Sequence, residues 1–411
     1  MTSRSGPVVR CAAVSVLAAI VVTSGITMDS TSADAVPVLS ELNVERSAAK
    51  IAELLQQRSE TVLNADVDAH MATLAPSAGP SVWATESRLV FGAETIGLVT
   101  YVEALAEPVV DLSPPGANVI DGNRAITLEI KRTMRIGDFD ERDHISSLFM
   151  TFVHVDGAWK LHGDHALSSI GLAGDRELWE LYDTEIVRRE TVVVVGTASR
   201  ARLTALADLT EDAIDRFERS WPWPWAGRVV VMVPARSEEL ERLIQPMIDV
   251  SKFVAFTTLS VDRSEGWFVV APRIVAQEGN LALRSPARQI DILVHELTHM
   301  ASVTASGPAT PLWAHEGLAE WVTAGRPSSN KGALELPDLH LFRTGSSAEI
   351  RQVYDQAADT MQRIAGSFGD EAPWELFQHI GAAVRVAGTN DHILDRALRA
   401  VTGFTLEELT R

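Results

Sequence analysis

The sequence predicts an α+β protein of two bodies behind an apolar leader, and three observations carry this. The chain has 411 residues, 46% hydrophobic and 22% charged. That is an ordinary globular composition, long enough at roughly 150 residues per domain for two cores. The hydrophobic period changes along the chain from helical to alternating and back. Near position 300, two short helical segments with clear start and stop signals carry histidines and glutamates at helical spacing. Lys plus Arg number 36 against 55 Asp plus Glu, a formal net charge of −19. This balance argues against a nucleic-acid groove or an anionic-membrane patch as the main business. The lone Cys11 allows neither an intrachain disulfide nor a thiolate metal site.

The leader is residues 1–35. Arg4 and Arg10 precede a mostly apolar run from Cys11 to Met28, and Ala33-Asp34-Ala35 follows as an A-x-A cleavage pattern. This reads as an export signal, either cleaved or retained as a membrane anchor, because the run is near the lower limit of about 17 residues for a spanning helix. Cys11 stands at the start of the run, which speaks against lipoprotein processing. The body is expected outside the cytoplasm, secreted or anchored at the outer face of the cytoplasmic membrane.

Residues 36–172 form the first body. Ile51, Leu54, Leu55 and Val62 recur at helical spacing, and the turn-rich Ala75-Pro76-Ser77-Ala78-Gly79-Pro80 follows. One long amphipathic helix over 42–74 is expected. After a mixed segment come strands over 125–130, 146–155 and 159–162, the last two joined at Asp156-Gly157, a strong hairpin signal. A helix followed by a curled antiparallel sheet resembles, in its pattern, the nuclear transport factor 2-like cone.

Residues 173–411 form the second body. A β-branched strand at 191–195, a helix over 200–219 and a strand at 228–233 open a mixed sheet. The run Trp221-Pro222-Trp223-Pro224-Trp225 reads as a rigid loop packing its rings on that sheet, since proline fixes the backbone and tryptophan brings a large apolar area. Gly266 to Ala271 reads as a strand, either an edge strand open to an extended ligand or an interior one.

Ser285-Pro286 is an N-cap followed by proline at the first helical position, and Ile290, Leu293, Val294, Leu297 and Ala301 recur on one face. A buried helix over about 286–303 follows. On it lies His295-Glu296-Leu297-Thr298-His299. Four residues is close to one turn, so both imidazoles project from one face and can chelate a zinc ion, with Glu296 offset to reach a water. Chance would place this five-residue pattern in about one chain of this length in a hundred.

The next helix adds weight. Gly307-Pro308 ends the first, Thr310-Pro311 starts the second, and Gly325 with Pro327 ends that one. Glu316 and Glu320 share one of its faces at i and i+4. Two carboxylates on an otherwise apolar helix are costly unless a cation sits opposite. Glu316 is read as the third ligand and Glu320 as the partner of a ligand histidine's outward nitrogen. His315 competes for the third position but points about 100 degrees away from Glu316.

At these residues the chain resembles the gluzincin clan of zinc metallopeptidases, in particular bacterial exported peptidases with a Trp-x-x-Glu-Gly-x-Ala-Glu-aromatic helix after the zinc helix. Here that helix reads Trp313 to Trp321. The similarity extends to Tyr354-Asp355-Gln356-Ala357 and to the closing Leu394–Leu398 and Gly403–Glu407 stretches. The resemblance implies a zincin-like domain with a mixed sheet and a helical metal-binding half, Zn2+ as cofactor, and a peptide or protein as substrate. It also implies Tyr354 as the residue that steadies the tetrahedral intermediate. His340, His379 and His392 are further candidates for that donor, each more often a surface residue. Two departures stand out. The 16 residues between His299 and Glu316 are fewer than in gluzincin aminopeptidases, and no Gly-x-Met-Glu-Asn-type stretch is present, so aminopeptidase activity is not expected. His315 stands where relatives carry Ser or Asn. The expected function is an exported zinc-dependent peptidase with Glu296 as general base. The alternative is a non-enzymatic envelope or extracellular binding protein on the same scaffold.

Overall fold

The computed structural model describes residues 41–410 apart from 171, 173, 245–253, 263–267, 308, 328–333, 339, 342–345 and 384–390. The expected leader, with Cys11 and Ala33-Asp34-Ala35, lies outside the described residues. Among those described, no helix is long and apolar enough to cross a membrane.

The first body opens with α1 (Glu41–Leu63). The expected single helix to 74 is in fact two. Ala65 takes a left-handed φ of 53°, Asp66 donates its backbone N–H to the Thr61 carbonyl, and the Asp66 side chain accepts from Ala69 N to start α2 (Val67–Met71). A capping aspartate after an αL residue is a stop and a restart, which helical periodicity alone does not register. The segment left as mixed contains α3 (Pro80–Ile96), started by proline and ended at Gly97 with φ 77°.

The sheet that follows comprises β1 (Leu98–Leu105), β2 (Val119–Ile120), β3 (Asn123–Ile136), β4 (His144–Val155) and β5 (Ala158–Gly163). It is antiparallel, in the order β1-β3-β4-β5 with β2 on β3, and curls into a half-barrel. Asp156 and Gly157 turn the β4–β5 hairpin with φ 50° and 81°, as a two-residue I′ turn requires. Ile51 and Leu55 of α1 pack on Leu128, Met150, Phe152 and Leu161.

Charges also fill this interior. Arg58 bridges Glu86 (2.6 Å) and Glu103 (2.8 Å), while Arg176 reaches Glu86 (3.0 Å) and Glu180 (2.8 Å), and Glu180 takes Arg132 at 2.7 Å. Buried charges of this kind persist only when paired. Burial would push the Glu86 carboxyl up, but Arg58 and Arg176 hold it well below the usual carboxylate range. Glu180 lies on α4 (Leu178–Leu181), so the network ties the first body to the start of the second.

The second sheet holds β6 (Glu185–Arg188), β7 (Val192–Gly196), β8 (Val229–Val233), β9 (Ala255–Asp262) and β10 (Phe268–Ala276), ordered β6-β7-β8-β10-β9. The central pairs β7–β8 and β8–β10 are parallel and the outer pairs antiparallel. Of the strand expected over Gly266 to Ala271, Gly266 and Trp267 lie outside the described residues and the rest belongs to β10, which is interior, while β9 is the edge. The helix α5 (Arg200–Ser220) connects β7 to β8. Val192, Val194, Val229 and Val231 face the helices, whereas Val193, Val195, Val230 and Met232 pack on Val90, Ile96, Met134 and Trp179 of the first body and α4. Both faces are covered, which is why these strands read as unbroken valine runs.

Two short helices, α6 (Ser237–Ile244) and α7 (Glu278–Ala282), flank the sheet connections. The helical half follows as α8 (Pro286–Ser302), α9 (Leu312–Thr323), α10 (Ser347–Phe368), α11 (Ala372–Gly381), α12 (Asp391–Thr402) and α13 (Leu406–Leu409). The tryptophan loop packs its rings on α5 and α11. The Trp221 ring stacks on Phe217 at 5.3 Å and meets Trp374 of α11 at 4.9 Å, and Trp223 stacks on Trp374 at 5.0 Å. Trp221 also belongs to the core built on the Val192, Val194, Val229 and Val231 face of the sheet, which it shares with α5 and α8.

Candidate metal centre

The helix α8 starts where the Ser285 hydroxyl accepts from Arg288 N, with Pro286 at its first position. It carries His295 and His299 with ring centroids 4.8 Å apart. The helix α9 brings Glu316 opposite them, its Oε2 lying 3.2 Å from His295 Nε2 and 3.6 Å from His299 Nε2. One ligand atom from each of the three lies within 4.8 Å of the others. Four-coordinate zinc with bonds of about 2.0–2.1 Å spaces its ligand atoms about 3.3–3.4 Å apart, so the two shorter separations match a tetrahedron's edges.

The three side chains are 2%, 1% and 0% exposed. His299 Nε2 and Glu316 Oε1 are buried with no hydrogen-bond partner among the protein's atoms. Orphaned polar atoms of this kind cost roughly 1–3 kcal/mol each, and a cation between them removes that cost. The donor set therefore fits a divalent ion of the zinc type. The cluster by itself identifies neither the ion nor a family.

Burial alone would lower the His295 pKa, but its contacts with Glu316 and Glu320 outweigh this and hold it up at about 10. Burial would raise Glu316, but His299 and His295 bring it down to about 2. His295 and Glu316 thus favour a buried imidazolium–carboxylate pair, and a cation bound by them would release that proton. Glu320 Oε1 lies 3.2 Å from His295 Nδ1, where it can orient the ring.

Glu296 is fully buried and lies outside the ligand group. The Thr257 hydroxyl of β9 donates to its Oε2 at 2.9 Å, fixing the carboxylate beside the cluster. Sequence reading missed Thr257 because it missed β9 altogether. The available signal was weak: a threonine pair, Thr257-Thr258, directly after the short apolar run Val254-Ala255-Phe256.

Tyr354 reaches the site from α10 because Gly317 lets that helix come close. A Cβ on Gly317 would meet the Ala357 carbonyl oxygen at 2.6 Å. Burial, then Glu316 and Glu320, push the Tyr354 phenol well above its ordinary pKa, so it remains a hydrogen-bond donor. His315 is buried edge-on to Phe377 at 5.0 Å and outside the ligand group. Burial and His299 lower its pKa to about 3, which keeps it neutral. His340, His379 and His392 are exposed.

No family model, no curated protein and no solved structure matches this chain.

Proposed function

We propose that the protein is an exported zinc-dependent metallopeptidase, with the second body a zincin-like catalytic domain and the first a cone of the nuclear transport factor 2 type. The observation that carries the reading is the separation of roles on α8. His295 and His299 converge on Glu316, while Glu296, one residue from a ligand, is held by Thr257 and stays out of the cluster. A purely structural ion site has no use for a buried, positioned carboxylate next to it.

When bound, zinc supplies Lewis acidity that lowers the pKa of a water toward about 7 and polarises a carbonyl. Glu296 accepts the proton from the attacking water as its oxygen adds to the peptide carbonyl carbon. The same carboxylic acid then gives the proton to the departing amine as the C–N bond breaks, leaving a carboxylic acid and a free amine. Tyr354, kept protonated, donates a hydrogen bond to the oxyanion. Glu320 keeps the His295 ring oriented.

One observation favours the alternative, a non-enzymatic extracellular binding protein in which the ion is a staple. Every member of the cluster is almost sealed from solvent, as closed structural sites are. Zinc content measured together with hydrolysis of unstructured casein separates the two. The peptidase reading expects one zinc per chain and cleavage. Zinc without cleavage of any unfolded substrate supports the staple, and no zinc uptake at all overturns both.

A further inference from the structure

The strands β9 and β10 form a ribbon with two different faces. Phe256 and Val275 pack into the core shared with the first body, whereas Ala255, Ile274 and Ala276 pack into the core that holds α8. Side chains alternate along a strand, so Arg273 takes the first face and Thr257, paired with Ile274, takes the second. Contacts bear out both placements. Arg273 grips both oxygens of Asp140 in the loop after β3, Nη1 to Oδ1 at 2.5 Å and Nη2 to Oδ2 at 2.9 Å. On the opposite face the Thr257 hydroxyl donates to Glu296 Oε2 at 2.9 Å.

Asp140 is itself fixed. Its Oδ2 also accepts from Ile136 N at the end of β3, at 2.8 Å, and the Asp140 and Arg273 side chains are 1% and 6% exposed. Just before Arg273 the β9–β10 register shifts, and within that shift Ala271 sits at φ 47°. A non-glycine residue in this region persists only where its surroundings enforce it, and the Asp140 clamp two residues on supplies that enforcement. The strand β9 depends on the same anchorage, because it is an edge strand whose one strand partner among the described residues is β10. Arg273 lies opposite Thr258, whose hydroxyl donates to the Arg273 carbonyl at 3.4 Å. Thr257 is the next residue, so a shift of β10 moves the hydroxyl that holds Glu296.

We infer that Asp140 of the first body is a positioning residue for Glu296. It fixes Arg273, and through the β9–β10 pairing it fixes the Thr257 hydroxyl, so the first body helps to aim the carboxylate on α8. The inference rests on the peptidase reading for the role of Glu296 and on the geometry for the rest. A misplacement of about 1 Å between reacting groups costs up to about 100-fold in rate.

The test uses the full zinc-loaded chain. Asp140→Ala alone would leave a buried guanidinium unpaired, so the variant is Asp140→Leu with Arg273→Met, which removes both charges together. Hydrogen exchange over residues 255–262 should quicken at least about tenfold, while exchange over β7 stays at the parent's rate. On casein, kcat should fall about 10 to 100 fold with KM and zinc content unchanged. Asp140→Asn, which keeps an acceptor for Ile136 N and weakens the clamp, should show the same pattern at smaller size. Thr257→Val should lower kcat by a factor similar to the double variant's, and Thr257→Ser, which keeps the hydroxyl, should lose far less. Adding Thr257→Val to the double variant should lower kcat no further, because both changes act on one hydroxyl. Unchanged exchange over 255–262 overturns the inference, and so do losses that multiply. Parental kcat in the double variant also overturns it and leaves the peptidase reading standing. If the zinc-loaded parent cleaves no unfolded substrate, the peptidase reading fails, and the exchange measurement alone decides whether the first body holds Thr257 and Glu296 in place.

Discussion

Glu316 and His315 are neighbours in sequence with opposite fates, and the difference tests the ligand assignment. Glu316→Ala should abolish tight zinc binding, because it removes the ligand atom 3.2 and 3.6 Å from the two histidines. His315→Ala should leave most of it, since that ring packs on Phe377. Glu320→Ala should weaken zinc affinity about 10–100 fold. Titration with a competing chelator gives the ranking, and the reverse order of Glu316 and His315 would overturn the assignment. The ion-free cluster also predicts a pH dependence. His295 is held at about 10 when folded against about 6.5 unfolded. Its contribution to stability is present in full below pH 6.5 and lost as pH rises through 10. Melting curves of chelator-treated protein should therefore show a decline across that window that His295→Gln lacks, and a decline shared by both would refute it. At this scale the sequence was legible wherever chemistry follows spacing along one helix, as for His295, Glu296 and His299. Thr257 was illegible because its partner lies 39 positions away and nothing local marks it.

Among elements, α8 and α9 could be read because their boundaries are chemical. Ser285 and Pro286 open one, and Gly325 with φ 83° follows the other. The helix α1 was overextended because Ala65 is not a residue that announces a left-handed turn, and β9 was missed because an edge strand of mixed polarity has no clean period. The approach of α10 to α9 was also hidden, since Gly317 reads as a weak helix position until the neighbouring backbone is in view. Gly317→Ala would place its methyl 2.6 Å from the Ala357 oxygen and push the helices apart. It should destabilise the fold by about 1–3 kcal/mol and draw Tyr354 away from Glu316. Denaturant midpoints measure the first effect. A stability equal to the parent's would show that the two helices do not need this close approach.

Across the whole molecule, the two bodies are joined by more than a linker. The core that includes Val90, Ile96 and Met134 on one side continues through Trp179 into Val193, Val195 and Val230 on the other, and Asp140–Arg273 crosses the same boundary buried. Sequence composition shows two textures near position 172 and conveys nothing of a shared core, because contacts between distant segments leave no periodic trace. Asp140→Ala would strand the Arg273 charge in the interior and should cost about 3–5 kcal/mol. Because the cores are continuous, urea should unfold both bodies in one transition, seen alike by tryptophan fluorescence and circular dichroism. Two separated transitions would contradict the shared core.

The most direct measurement on the peptidase reading is the casein hydrolysis rate of Glu296→Gln at the parent's zinc content. The substitution keeps the shape of a side chain that accepts from Thr257 and lies outside the His295–His299–Glu316 group, so zinc and thermal stability should be retained. Hydrolysis should fall by at least 10² to 10⁴ fold, about 2.7 to 5.4 kcal/mol of barrier. A rate equal to that of a parent that cleaves casein, with zinc present in both, would contradict the assignment of Glu296 as the base.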